Sequence, residues 1–458
     1  MELQKSFLEQ LQQLLPDEWQ ALYNTIVGTE PSVSVRVNVR RGATLPSGAS
    51  RVPWCESGFY LDDRPSFTFD PAFHSGLYYV QDASSMFLHH VLKNLVTKPV
   101  RYLDLCAAPG GKTTTALGAL PAGSLVVANE IVTSRARVLR DNVIKWGNPF
   151  TIVTNNASYD LGQLTHFFDI IATDVPCSGE GMMRKDDEAV AQWSRTLVEE
   201  CAARQQFIID DVWNALRPGG LLIYSTCTYN RLENEQMIEY IISKYDATPV
   251  SVPIEPEWNI MGAIGNDFPA YRFMPHRTRG EGLFMAILRK GDGEDKSTKL
   301  MKRKGKSTKS SPLPATVSKW LKNPQDYFFI SENDEIIATP HAWHREIDLL
   351  REHLNTIYHG IALGTMKGKN CVPAHALALS ESLNGDEFST CEVDYPTALA
   401  FLRGEAITID APRGSVLITH HGARLGWVNN LGNRANNLYP KSLRILSTHA
   451  PLTELQVL

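Results

Sequence analysis

Two cysteines stand where a thiol can act. Cys177 follows Asp174 in the run FDIIATDVPCSGEGMM, and Cys227 lies in YSTCTYNRLENE, after the apolar Leu221, Leu222 and Ile223. Taken singly, each reads as a small apolar packing residue. Taken together, two thiols and a carboxylate suit covalent catalysis, which divides one hard step into two easier ones. The chemistry that uses such a set beside a nucleoside cofactor is alkylation at C5 of cytosine, a poor carbon nucleophile. A thiolate adding to C6 makes C5 enamine-like, and a carboxylic acid assists at N3. A base then removes the C5 proton so that the thiol can leave. A free thiol titrates near about 8.5, so the surroundings must activate one or both.

A second group of residues suits the cofactor. LDLCAAPGGKTT follows an apolar run and opens a helix, so small residues let the backbone approach a ligand at a helix N-terminus. GGKTT is similar to a phosphate-binding P-loop, but that motif needs glycine where Cys106 stands. The other reading is a nucleoside on a Rossmann-like sheet. It calls for an acid roughly 20 residues on to hold ribose hydroxyls, and Glu130 ends SLVVANE there.

These residues need a sheet to bring them together. From Val100 to Lys290, short apolar runs alternate with helical segments, which predicts a parallel sheet with helices on both faces. A long helix is expected from about Asp187 to Leu216, and another from Leu232 to Glu235 onward. Ligands of such sheets lie beyond the carboxyl ends of the strands, so Asp174, Cys177 and Cys227 are expected to face one cleft near Glu130. Gly179 and Gly181 suggest a tight, mobile loop after Cys177. Residues 1–95 read as an N-terminal helical and small-sheet region, 96–290 as the Rossmann-like domain and 291–314 as a basic flexible linker. Residues 315–458 read as a β-rich C-terminal domain.

With 43% hydrophobic residues, 21% charged residues and a net charge of -5, the 458-residue chain is a poor bulk polyanion binder. Nucleic-acid contact must come from local patches. Candidates are Arg36, Asn38 and Arg40 on the polar face of a strand reading SVSVRVNVR, Arg184 with Lys185, and Lys302–Lys306 in the linker. The 7 cysteines contain no CxxC pair, which argues against a disulfide framework. His89–His90 and His420–His421 are adjacent pairs whose side chains are expected to diverge, so no metal is expected. The N-terminus reads as an amphipathic helix and not a signal peptide, and no membrane span is expected. A monomer in a reducing cytoplasm is the expectation.

DLCAAPGGKTT, DVPCSGEGMMRKD and YSTCTYNRLENE together resemble the Nol/Nop/Sun family of RNA cytosine-5 methyltransferases. SVRVNVR, GLYYVQDASSM and PHRTRGEGLFMAIL extend the resemblance over most of the chain. The tail is similar to that of the bacterial small-subunit ribosomal RNA methyltransferase F group, which implies a PUA-like fold and an RNA partner, ribosomal RNA or an assembling small ribosomal subunit. The resemblance implies S-adenosylmethionine, with its methionine end on Cys106, Ala107, Ala108, Pro109, Gly110, Gly111 and Lys112. It implies that Glu130 takes the ribose with Arg135 nearby, and that Asp174 meets cytosine and cofactor. Cys227 would attack C6 and Cys177 assist release. Asn156 stands where the family carries an aspartate for adenine; its amide oxygen is expected to accept instead. Transfer RNA as substrate, a P-loop-like nucleotide hydrolase and a non-catalytic RNA-binding scaffold are the alternatives.

Overall fold

The computed structural model describes residues 3–44, 48–293, 315–447 and 453–458. Most of the expected linker, residues 294–314, lies outside them, and so does the Lys302–Lys306 patch.

The central sheet is built on β1 (Arg101–Asp104), β2 (Leu125–Asn129), β3 (Thr151–Thr154), β4 (Phe168–Asp174) and β5 (Leu216–Thr226), which run parallel in the order β5-β4-β1-β2-β3. The order reverses between β1 and β4, so their carboxyl ends open a crevice. β4 is buried from Phe168 through Thr173, as expected of a strand covered on both faces. Beyond β5 the sheet turns antiparallel through β6 (Ala247–Val250), β7 (Tyr271–Phe273) and β8 (Leu283–Lys290); β8 lies against β5. The helices that bear on the site are α1 (Gly111–Ala119), α2 (Thr133–Trp146), α3 (Arg195–Val212) and α4 (Glu235–Lys244).

The sheet does not stop at the expected boundary. β9 (Thr356–Tyr358), from the C-terminal region, pairs antiparallel with β3 and caps that edge. Ile347, Leu350 and Leu354, just before β9, join the same core as Leu125, Val127 and Ile152. The rest of the C-terminal region holds two four-stranded sheets with their own cores.

The N-terminal helices Lys5–Leu14 and Trp19–Gly28 pack on Met183, Trp193, Tyr229 and Met274, beside both cysteine loops. A four-stranded antiparallel sheet follows, containing Val33–Val37 and Tyr78–Val80. The long helix expected from Asp187 is two helices, Asp187–Gln192 and α3. Between them Trp193 is extended and buried, and the Ser194 hydroxyl accepts from Leu197 N–H at 3.0 Å to cap α3. Leu232–Asn234 form a turn, and α4 starts at Glu235. Among the described residues no helix is long and apolar enough to cross a membrane.

Candidate active site

The Gly-rich loop leaves β1 at Asp104 and enters α1 at Gly111. Gly110 has φ 115°, left-handed backbone that a side chain resists, and a Cβ there would press on Leu139 at 3.3 Å. The loop is tied on several sides. Ala107 N–H donates to Asn129 O at 2.8 Å, and Asn142 Nδ2 donates to Pro109 O at 2.9 Å. Asn129 is buried and bonds to the backbone of both Leu105 and Asn156, locking three strand ends together. Asp104 lies under the loop and accepts from Thr113 Oγ1 at 2.6 Å. Burial pushes its carboxyl up to about 7, against that hydrogen bond, and the nearby Asp174 and Glu130 add to the rise. Cys106 accepts from Thr173 Oγ1, and burial pushes its thiol up to about 12.

Glu130 follows β2 and is buried. Its Oε1 accepts from Val132 N–H at 2.9 Å and its Oε2 lies 3.4 Å from Arg135 Nη1. Arg135 Nη2 also donates to Ala108 O at 2.9 Å, so one arginine joins the acid to the Gly-rich loop. Next to this acid the Ile131 side chain is 64% exposed, an apolar surface the sequence reading did not single out. Asn156 is placed at this edge, but its amide oxygen is not free as expected. It accepts from Asn355 N–H at 3.0 Å, while its Nδ2 donates to Asp160 at 3.2 Å. One lone pair is therefore spent on the chain leading into β9.

Asp174, Cys177 and Cys227 come together as expected. The two sulfurs are 3.1 Å apart, and Cys227 N–H donates to Cys177 Sγ at 3.3 Å. Lys112 reaches from α1 to Asp174, Nζ to Oδ2 2.8 Å, and Ser225 Oγ donates to Asp174 Oδ1 at 2.9 Å. Burial works against the Lys112 charge, but the Asp174 carboxylate outweighs it and holds the ammonium above its ordinary value. Cys227 adds to that attraction. Hydrogen bonding to Cys227 pushes the Cys177 thiol well up, and burial and the carboxylates of Glu233 and Asp174 act the same way.

Behind the thiols lies a buried polar network that joins the two loops. Ser178 donates to Glu233 through its N–H and hydroxyl, and Asn230 Nδ2 donates to Glu233 at 2.8 Å and Glu180 at 3.0 Å. Glu180 also accepts from Tyr229 N–H, Asn230 N–H, Trp193 Nε1 and Gln10. Burial pushes the Glu233 carboxyl up. The loop is pinned rather than mobile: Gly181 N–H donates to Cys227 O at 2.8 Å, and a Cβ on Gly181 would meet Cys227 O and Gly282 O at 2.9 Å each.

Several expected RNA contacts are corrected. Arg36 is 1% exposed; its guanidinium donates to Gln81 and Thr114 and lies over Trp146. Asn38 is equally buried and donates to Gly76 O and Trp146 O. The polar face of that strand is covered by the Rossmann-like domain, so both residues bind protein. Arg184 is occupied by a bidentate pair with Glu281. Arg40 and Lys185 remain at the surface, though Lys185 also lies 3.5 Å from Glu281. The expected divergence fails at His420 and His421, whose rings are 4.3 Å apart and turn toward Glu454.

Residues 94–289 match the family model described as 16S rRNA methyltransferase RsmB/F. Residues 3–83 match the N-terminal domain of 16S rRNA methyltransferase RsmF, and 388–445 its PUA domain. A ribosomal RNA small subunit methyltransferase F from Erwinia tasmaniensis is 31% identical over 96% of both chains. One from Klebsiella pneumoniae is 31% identical over 86% of this chain and 84% of its own. Among solved structures, a methyltransferase homolog from Pyrococcus horikoshii superposes with TM-score 0.53 at 26% identity, covering 63% of this chain and 95% of its own. NSun6 from the same organism, with SFG, gives TM-score 0.54 at 20% identity over 63% and 99%.

Proposed function

Since the chain belongs to the RsmB/F family of 16S rRNA methyltransferases, we propose that it methylates C5 of a cytosine in small-subunit ribosomal RNA through a covalent Cys227–C6 intermediate. The observation that carries this reading is the pair of thiols 3.1 Å apart beside the Lys112–Asp174 ion pair.

The residues present fit S-adenosylmethionine, of which the SFG of the NSun6 structure is an analogue. Asp104 and Asp174 offer carboxylates for an ammonium group, the α1 N-terminus suits a carboxylate, and Glu130 suits a ribose diol. Ile131 offers an apolar face for adenine. When bound, the cofactor supplies an electrophilic methyl group.

The chain's own residues do the rest. Cys227 gives up its thiol proton to a base and adds to C6, the sulfur pair forming the C6–S bond as the C5=C6 pair moves onto C5. Asp174, held by Lys112 and Ser225, meets the edge of the base and assists at N3 when it carries a proton. Once C5 is methylated, a base takes the C5 proton, the C5–H pair restores the C5=C6 bond, and the C6–S pair returns to Cys227; Cys177, 3.1 Å away, assists that departure. The base reaches the cleft unstacked, as single-stranded ribonucleotides can. Arg40 and Lys185 support its phosphates. The reaction belongs in the cytoplasm with the ribosomal RNA.

The test is bisulfite sequencing of 16S ribosomal RNA from a strain lacking this protein. At least one methylated cytosine should be lost, then restored by the wild-type chain and not by Cys227→Ala. A methylation pattern unchanged by the deletion contradicts the reading.

A further inference from the structure

We propose that His420, His421 and Glu454 form a binding site for a divalent transition-metal ion of the zinc class, fastening the C-terminal tail to the C-terminal domain. Both His Nε2 atoms converge on one oxygen, Glu454 Oε1, at 2.9 Å from His420 and 2.7 Å from His421. Among the described residues, these three supply a cluster of metal-ligating atoms within 4.8 Å of one another.

The hydrogen bonding of His420 points to a cation. Its Nδ1 faces Val393 O at 2.8 Å. A carbonyl only accepts, so Nδ1 carries a proton. In the neutral ring Nε2 is then a bare lone pair, and it faces a carboxylate oxygen. Two acceptors at that distance repel unless a positive charge lies between them. The arrangement also matches how proteins prepare a histidine ligand: a carbonyl on one nitrogen fixes the tautomer and aims the other at the metal. Glu392, which accepts from Thr419 Oγ1 and Gly422 N–H, is a second carboxylate beside the cluster.

The turn that presents these residues is unusual. His421–Gly422 form a two-residue loop joining strands Gly414–His420 and Ala423–Asn430, with φ 48° and 72°. That loop favours Asn-Gly or Asp-Gly, because both central residues are left-handed. A histidine in that position carries strain, and the strained backbone brings its ring alongside His420, which adjacent strand residues do not achieve. Two histidines and a glutamate are a three-ligand zinc set, with the fourth position open to solvent. Tetrahedral zinc places its donor atoms ~3.3 Å apart, so the two His–Glu454 spacings need open by only about half an ångström. Leu455, Val457 and Leu458, which follow Glu454, pack on the N-terminal sheet, so an ion at Glu454 would also steady that contact.

The test uses the full-length protein, stripped of metal and titrated with Zn²⁺ by calorimetry, and with Co²⁺ by absorption. The Cys177–Cys227 pair is a competing site, and cobalt tells them apart: nitrogen and oxygen donors give no thiolate charge-transfer band. The expected result is one equivalent bound without that band. His421→Ala, at a side chain 63% exposed, and Glu454→Gln should each weaken it. A partner behind a ligand is worth ~10–100-fold in metal affinity, so losing a ligand should cost at least ~10-fold. Zn²⁺ should raise the melting temperature of the wild-type chain and not of folded His421→Ala. Equal affinity in wild type and both variants, a thiolate band alone, or no binding would overturn the proposal and leave an imidazolium–carboxylate contact.

Discussion

At the scale of residues, the account rests on charges held in unequal positions. Asp104 was missed in the sequence because it lies inside a strand run and reads as one polar residue among apolar ones. Burial holds its carboxyl near 7. The carboxylate attracts an ammonium ligand and the neutral acid does not, so binding of the cofactor should strengthen as pH rises through about 7. Calorimetry of S-adenosylmethionine from pH 6 to 8 should show that rise, and Asp104→Asn should flatten it. A flat profile in wild type contradicts the assignment. Cys177, Cys227 and Glu130 were legible because their motifs mark strand ends. Arg36 and Asn38 were not: alternation gives the two faces of a strand, but not what covers each. Both faces here are covered, and Arg36 braces α1 through Thr114.

At the scale of elements, the thiols depend on two loops held in register. The strands were readable from apolar runs. The turn at Leu232–Asn234 was not, since ENE looks like an acidic helix start, whereas Glu233 is buried and bonded to Ser178, Gln205 and Asn230. The close approach of Gly181 to Cys227 O makes that contact testable. Gly181→Ala should displace Cys177 from Cys227. Misplacement by about 1 Å costs on the order of 10²-fold in rate, so kcat should fall about that much while cofactor affinity stays near wild type. Steady-state kinetics with calorimetry checks it; an unchanged kcat contradicts the pinned-loop account.

At the scale of the whole molecule, the C-terminal region is part of the catalytic body. β9 extends the sheet past β3, and Asn355 bonds to Asn155 and Asn156 at the cofactor edge. A three-residue strand separated from its partner by some two hundred positions carries no local signal, so a boundary drawn at the linker missed it. A chain ending at residue 293 should lose the burial of Ile347, Leu350 and Leu354, at about 1.5–3 kcal/mol each. It should melt well below the full chain or aggregate, as differential scanning fluorimetry would show. Equal melting temperatures would mean that the Rossmann-like domain stands alone.

The central claim is the division of labour between two sulfurs 3.1 Å apart. The most direct measurement is a denaturing gel of the Cys177→Ala protein incubated with its RNA and S-adenosylmethionine. Cys227 should attack and remain attached, giving a slow band that protease removes and that Cys177→Ala/Cys227→Ala lacks. Free Cys177→Ala protein with full methylation activity would contradict the account.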